Sequence, residues 1–278
     1  MKTIYRIAKL ELSTLFYSPV AWLVLIVFTF QVGLDYVSII HDIVGLVKVH
    51  SEVRGGITAN IGLLFRSVQD NLYLYIPLLT MGLMSREFSS GSVKLLYSSP
   101  VTVPQIILGK YLAMLIYGLT LVVILLLFVG AAGYLVVFAD ISHLLSAVFG
   151  LYLLICAYSA IGLLMSCLTS YQVVAAISTL VVLAALNFVG TVWQNIAFVR
   201  DITYFLSIAG RCDQFLGGLI STKNIFYFLI VTVFLLGLST IHVRKHSHDR
   251  LLPVGFKLPD HPVLFRPKVH DVPDLRRV

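Results

Sequence analysis

The sequence predicts an all-α polytopic membrane protein, and three observations carry that reading. Of the 278 residues, 59% are hydrophobic and only 12% charged, whereas soluble domains carry about 25% charged residues. Several separate apolar runs reach the ~20 residues that a helix needs to cross a bilayer. The third is that the sequence shows none of the alternating segments of about ten residues that build a membrane β-barrel. The layout expected is six transmembrane helices, an N-terminal interfacial helix, a short cytoplasmic helix between spans two and three, and interfacial helices between spans five and six. Three regions follow: an amphipathic helix over residues 1–18, a transmembrane domain over 19–243 and a basic, Pro-rich tail over 244–278.

Residues 1–18 mix Lys2, Arg6 and Lys9 with Ile4, Ile7, Ala8, Leu12, Leu15 and Phe16. The apolar residues recur at helical spacing, which describes a helix lying along a membrane surface. Ser18-Pro19 turns the chain, Pro being well tolerated at a helix start. The first span is expected over Pro19–Ile40, with Asp35 near its end reaching the headgroups rather than binding an ion. No small-residue cleavage pattern follows this run, so it does not read as a cleavable leader. His41–Asp70 reads as a polar connection rich in Gly. The second span follows over about Asn71–Met84, extended backwards by a turn, with Pro77 removing a backbone donor and predicting a kink.

The third span is expected to end near Val129, with Gly130 and Gly133 marking its end. The fourth covers Leu144–Leu168 and the fifth Gln172–Val192, joined through Thr169-Ser170-Tyr171 as an antiparallel hairpin. Thr191–Asn224 is too interrupted to span and suits short interfacial helices. The sixth span is Ile225–Val243.

An even number of spans puts both termini on one side. That side collects Lys2, Arg6, Lys9, Arg86, Lys94, Lys110 and the tail cations, 14 of the 20 Lys and Arg. The positive-inside rule then places both termini and the central stretch in the cytoplasm, and the chain is expected to be an integral protein of the inner membrane. The net charge of +7 is thus a topology charge, and nucleic acid is not an expected partner. Cys156, Cys167 and Cys212 lack metal-ligand spacing and read as small core residues. The tail histidines His242, His246, His248, His261 and His270 match no ligand motif either, and a basic tail near anionic lipid explains them better.

The stretch from Ser85 to Tyr111 breaks the apolar character and carries helix start and stop signals. Arg86-Glu87 must leave the hydrocarbon, Gly91 gives a break, and Val93, Leu96 and Tyr97 form a short apolar face opposite Lys94. Ser98-Ser99-Pro100 stops that segment. Thr102-Val103-Pro104-Gln105 reads as a capping box that starts a new helix at Val103. From physics alone, this is either a short helix whose displacement would move both adjoining spans or an ordinary interfacial loop.

The string from Ile76 to Ala113 closely resembles the signature region of ABC-2 type transporter permeases. The matching residues are Pro77–Met81, Glu87, Ser90-Gly91-Ser92, Leu95-Leu96, Ser99-Pro100-Val101 and Gly109-Lys110. Ser92 replaces the family's more usual Thr and Lys94 its more usual Glu, which removes or reverses an acidic contact. Within the family the chain looks most like the gliding-motility and nitrous-oxide-reductase-maturation type. The resemblance implies a permease subunit, not itself an enzyme, that pairs with a second copy or a related permease. It also implies two separate ATPase subunits, which would hold ATP and Mg. This chain has no GxxxxGK[ST] phosphate loop and is expected to bind no cofactor itself. Coupling to the ATPase then falls to Arg86, Glu87, Gly91, Val93, Lys94, Leu96 and Pro100, and the transport direction implied is export.

A translocation path is expected along polar groups of spans one, two and five: Gln31, Thr80, Ser178, Thr179 and Asn187. The competing reading for the hydroxyls is a bond to their own helix. Two other function classes stand beside the ATP-driven one. A stand-alone secondary transporter lacks the intramembrane carboxylates of a proton-coupled pump and paired broken helices. A membrane-embedded enzyme lacks any HExxH or GxSxG motif. A membrane subunit that passes ATP-driven mechanical work to an envelope partner is a further alternative.

Overall fold

A computed structural model describes residues 2–49, 54–92, 101–135, 141–188 and 208–251. These residues are helical throughout apart from short turns, with no strand among them. In chain order they form α1 (Lys2–Tyr17), α2 (Pro19–Val49), α3 (Arg54–Thr80), α4 (Ser85–Ser90), α5 (Val103–Leu135), α6 (Ile141–Leu168), α7 (Gln172–Phe188), α8 (Ile208–Leu216) and α9 (Thr222–Leu251). The chain is an all-α polytopic membrane protein. Stretches Pro19–Asp42, Val103–Ala131, Ser142–Leu168 and Thr222–Lys245 are long and apolar enough to cross a membrane. The other two expected spans fall on α3 and α7, the latter described over 17 residues.

The bundle is built around α6, which packs against α3, α5, α7, α8 and α9. Along α6, Ala147, Leu151, Leu154, Tyr158, Ile161 and Leu163 are all buried. Around it α2 packs on α3 and α5, and α1 lies against α5. The outward faces remain apolar, with Trp22, Ile26 and Phe30 exposed on α2 and Ile230, Val233 and Phe234 on α9. An apolar surface around a helical bundle is what hydrocarbon requires, because every backbone bond is closed within its own helix.

Several expectations about element ends are met. The chain breaks at Ser18, whose N–H bonds Leu15 O at 2.9 Å, and α2 starts at Pro19. The α6–α7 connection is the tight Thr169–Tyr171 turn, in which Tyr171 N–H bonds Thr169 Oγ1 at 3.2 Å. The interfacial helix expected between spans five and six is α8.

One expectation is corrected, and two helices run on past the spans they carry. His41–Asp70 is not a polar connection: α2 continues to Val49 and α3 begins at Arg54. The reason is a stripe of Leu64, Phe65, Val68, Leu72 and Ile76, all buried, which recurs at helical spacing beneath a composition diluted by Gly and charge. The third span closes at Ala131, close to the expected Val129, while its helix α5 runs on past Gly130 and Gly133 to Leu135. A helix in a bundle tolerates the ~1 kcal/mol that an internal Gly costs. Finally, α9 runs on to Leu251, past Val243, because nothing in Arg244–Arg250 breaks a helix. The expectations for residues 189–192 and for the tail beyond Leu251 lie outside the described residues.

Candidate functional site

The site gathers where α3 ends. Its last turn gives way at Thr80 to a bend over Met81–Met84, and α4 begins at Ser85. A six-residue helix cannot hold its own first turn, and Met84 at its N-cap supplies no side-chain cap. The cap comes from another helix. Ser166 of α6 accepts hydrogen bonds from the N–H groups of Met84 at 3.0 Å and Ser85 at 3.1 Å. The same hydroxyl donates to Met81 O at 3.1 Å. Ser166 thus satisfies two of the N–H groups orphaned at any helix start and the carbonyl of the preceding bend. At the other end Gly91 caps α4 with φ +71°, in the left-handed region, where a side chain would add strain.

Glu87 projects from α4 to Lys110 of α5, with Nζ donating to Oε1 at 2.7 Å. Lys110 Nζ also donates to Oε2 of Glu11 on α1, at 2.9 Å. The Lys110 side chain is only 3% exposed, against 16% for Glu11 and 25% for Glu87. Burying an ammonium costs several kcal/mol unless geometry and partners repay it. Two charge-assisted bonds of normal length are such repayment. One lysine therefore ties together three elements far apart in sequence.

Local packing explains why the three meet. Gly109 sits where α1 crosses α5: a Cβ there would stand 2.7 Å from Ile7 Cγ2 and 3.2 Å from Ile4 O. That close approach, one residue before Lys110, brings Glu11 (one helical turn beyond Ile7) to the lysine. α5 itself starts as expected, with Gln105 Oε1 accepting from Thr102 N–H at 3.2 Å, one half of a capping box. A small cavity of about 60 Å³ opens beside the network, bounded by Glu11, Thr14, Gly82, Arg86 and Gln172. Arg86 is exposed and folds back over Gly82, where a Cβ would meet Nη2 at 2.8 Å.

Of the residues expected to couple, Arg86, Glu87 and Gly91 are therefore gathered on or beside α4. Val93, Lys94, Leu96 and Pro100 lie outside the described residues. Glu11, Lys110 and Ser166 were not among the candidates, although Lys110 stood within the signature. For the lysine a signal existed: a cation at the edge of an apolar run needs a counter-charge, and Glu11 and Glu87 are the carboxylates nearest in topology.

The expected path residues are placed as follows. Gln31 is half-buried and accepts a hydrogen bond from Tyr75 OH. Thr80 is buried and donates to Ile76 O at 2.9 Å, against Gly162 of α6. Ser178 and Thr179 both donate to Ala175 O, at 3.0 and 2.7 Å. Asn187 is half-buried. Asp35 accepts from Ser67 Oγ at 2.5 Å. Among the described residues no group of three or more His, Cys, Asp or Glu side chains could hold a metal ion. Cys167 and Cys212 are buried, and burial pushes the Cys212 thiol of α8 well up from its usual range.

Apolar spans packed on a central helix, with one tied, non-spanning element between the second and third of them, describe the membrane subunit of a transporter. The family follows from the sequence match. The model of the ABC-2 family transporter proteins matches residues 5–246, and the chain belongs to that family. It is a transmembrane subunit of an ABC transporter. No curated protein matches the chain.

Proposed function

We propose that this chain is the permease of an exporter driven by a separate ATPase, and that α4 is where the ATPase's motion enters the membrane. The observation that carries the reading is the pairing of buried Lys110 with both Glu87 and Glu11. Through it α4 cannot shift alone: α5 is tied by the lysine, α1 by Glu11, and α6 by the Ser166 cap. A push on a six-residue helix held in this way moves rigid elements rather than being absorbed by a loop. Two ATPase copies acting on a pair of permeases, each in the inner membrane with both termini cytoplasmic, complete the proposed assembly.

The experiment is a pull-down of the tagged chain from mild detergent, with ATPase activity assayed on the eluate. Wild type is compared with Glu87→Gln and Gly91→Pro. A co-purifying ATPase whose activity is lost or uncoupled in both variants supports the reading. A chain that recovers no ATPase, with variants that behave like wild type, overturns it.

A further inference from the structure

The opposite end of the bundle holds a second cavity, of about 260 Å³. Its position follows from α6. His143 at the cavity and Ser166 at α4 lie 23 residues apart on one helix, or about 35 Å. The hydrocarbon core of a bilayer is about 30 Å thick, so the cavity stands at the far membrane face from α4.

Three chemical groups line it. Arg66 of α3 is exposed and makes no hydrogen bond or close ion pair among the described residues, although the Asp70 carboxylate one helical turn on interacts with both its charge and that of Asp213. His143 of α6 borders it, its Nδ1 buried and without a hydrogen-bond partner among the described residues. Asp213 of α8 accepts from Gln69 Nε2 through Oδ1 at 2.8 Å, which leaves its second oxygen to spend. The ring of His143 is held by Gly218, whose φ of +81° and close approach (a Cβ would stand 2.7 Å from Cδ2) reserve that position for glycine. Gly62, Leu63, Leu216 and Gly217 complete the lining, and Leu219 and Ile220, which follow in the chain, are 69% and 61% exposed.

A cation and a half-spent carboxylate in one cavity, beside an apolar surface at headgroup depth, suit a ligand with both charges and a tail. We propose that this cavity binds a phosphoethanolamine headgroup. The phosphate is held by the Arg66 guanidinium, and the primary ammonium donates to Asp213. The volume is below the roughly 300–1,000 Å³ of drug-sized pockets and suits a headgroup. A quaternary ammonium has no N–H to give Asp213, and a glycerol headgroup has no cation, so choline and glycerol lipids each lose one arm. Neither ATP nor a partner protein enters this proposal, so it stands or falls apart from the function proposed above.

The test uses the purified full-length chain in nanodiscs of equal parts phosphatidylethanolamine, phosphatidylcholine and phosphatidylglycerol, with retained lipid read by mass spectrometry. Wild type is expected to retain phosphatidylethanolamine on the order of tenfold over the others, the effect of one hydrogen bond to a charged group. Asp213→Asn keeps an acceptor for Gln69 and is expected to abolish that preference. Arg66→Gln is expected to lower retention of all three lipids, and Arg66→Lys to restore it in part. Equal retention of the three lipids by wild type overturns the proposal without recourse to any variant, and so does a preference that survives Asp213→Asn. Soluble glycerophosphoethanolamine separates the sources. Displacement of the retained lipid assigns the site to a free solute, and resistance to displacement assigns it to a membrane lipid; both uphold the headgroup chemistry.

Discussion

Replacing Lys110 by Met tests the central network directly. The substitution keeps an unbranched chain of similar length and removes the charge. Two bonds of 2.9 and 2.7 Å are lost, and Glu11 and Glu87 are left facing each other without their cation. Removing one member of a buried ion pair costs about 3–5 kcal/mol, mostly as the penalty of the charge left behind. Both carboxylates keep some access to solvent, so the lower end, about 3 kcal/mol, is the better expectation. At about 2–4 °C per kcal/mol for a large domain, thermal unfolding in detergent should fall by on the order of 10 °C. Charge can be separated from packing by adding Glu11→Gln and Glu87→Gln to the lysine variant. A neutral set of similar volume need not be less stable than a buried ion cluster, so most of the lost stability should return. A Lys110→Met transition within about 2 °C of wild type would refute the reasoning, since the lysine would then not be holding the three helices together. Failure of the neutral set to recover would assign the loss to packing instead.

Two further substitutions probe how α4 and α6 are placed. Ser166→Ala strands the N–H groups of Met84 and Ser85, while Met81 O keeps the hydrogen bond from Ser85 Oγ. At about 1–3 kcal/mol for each buried group left unsatisfied, it should lower the unfolding midpoint and make the Ser85–Gly91 segment an early site of proteolysis in a time-course digest. Gly162→Ala and Gly237→Ala form a matched pair on neighbouring helices. At Gly162 the new Cβ would stand 2.2 Å from Thr80 Oγ1, whereas at Gly237 nothing lies within 4 Å. The first should destabilise by about 1–3 kcal/mol through overpacking, and the second should stabilise by up to ~1 kcal/mol through helix propensity. Unfolding midpoints of the same sign for both would show that the α3–α6 crossing is looser than described.

What the sequence revealed and what it hid follow from the range of the interactions involved. Local signals read correctly: the Pro19 start of α2, the Gln105 side chain returning to Thr102 N–H, the Gly91 cap and the three-residue α6–α7 turn all depend on neighbours within a few residues. The first half of α3 was misread because Gly55, Gly56, Gly62 and scattered charges lower its mean hydropathy. Its burial depends on a stripe that occupies only one face. Glu11 and Ser166 were hidden for a different reason. Glu11 meets Lys110 across 99 residues, and Ser166 meets Met84 across 82, so no local pattern marks either. A serine within an apolar helix looks the same in sequence whether it bonds its own carbonyl, as Ser178 does, or caps another helix, as Ser166 does.

The two ends of α6 carry different kinds of attachment, and that difference has physical consequences. At one end Ser166 caps α4, and Gly162 lets α3 approach to within contact of Thr80. At the other, Ser146 Oγ donates to Phe215 O of α8 at 2.9 Å, and Gly150 admits the Phe215 side chain, which a Cβ would meet at 2.4 Å. Between them lies an unbroken helix whose buried face is in contact with four spans, α3, α5, α7 and α9. Contacts this close cannot slide by fractions of an ångström without clashing, because packed interiors have little free volume to yield. A displacement imposed at α4 must therefore either move α6 as a body or break the Ser166 cap. The cap involves three hydrogen bonds of ordinary strength, while the α6 packing involves most of its length, so the cap is the weaker link. The charge network to α1 and α5 is what shares the strain at that weak point. Its place beside the cap, rather than deeper in the bundle, follows from that division of load.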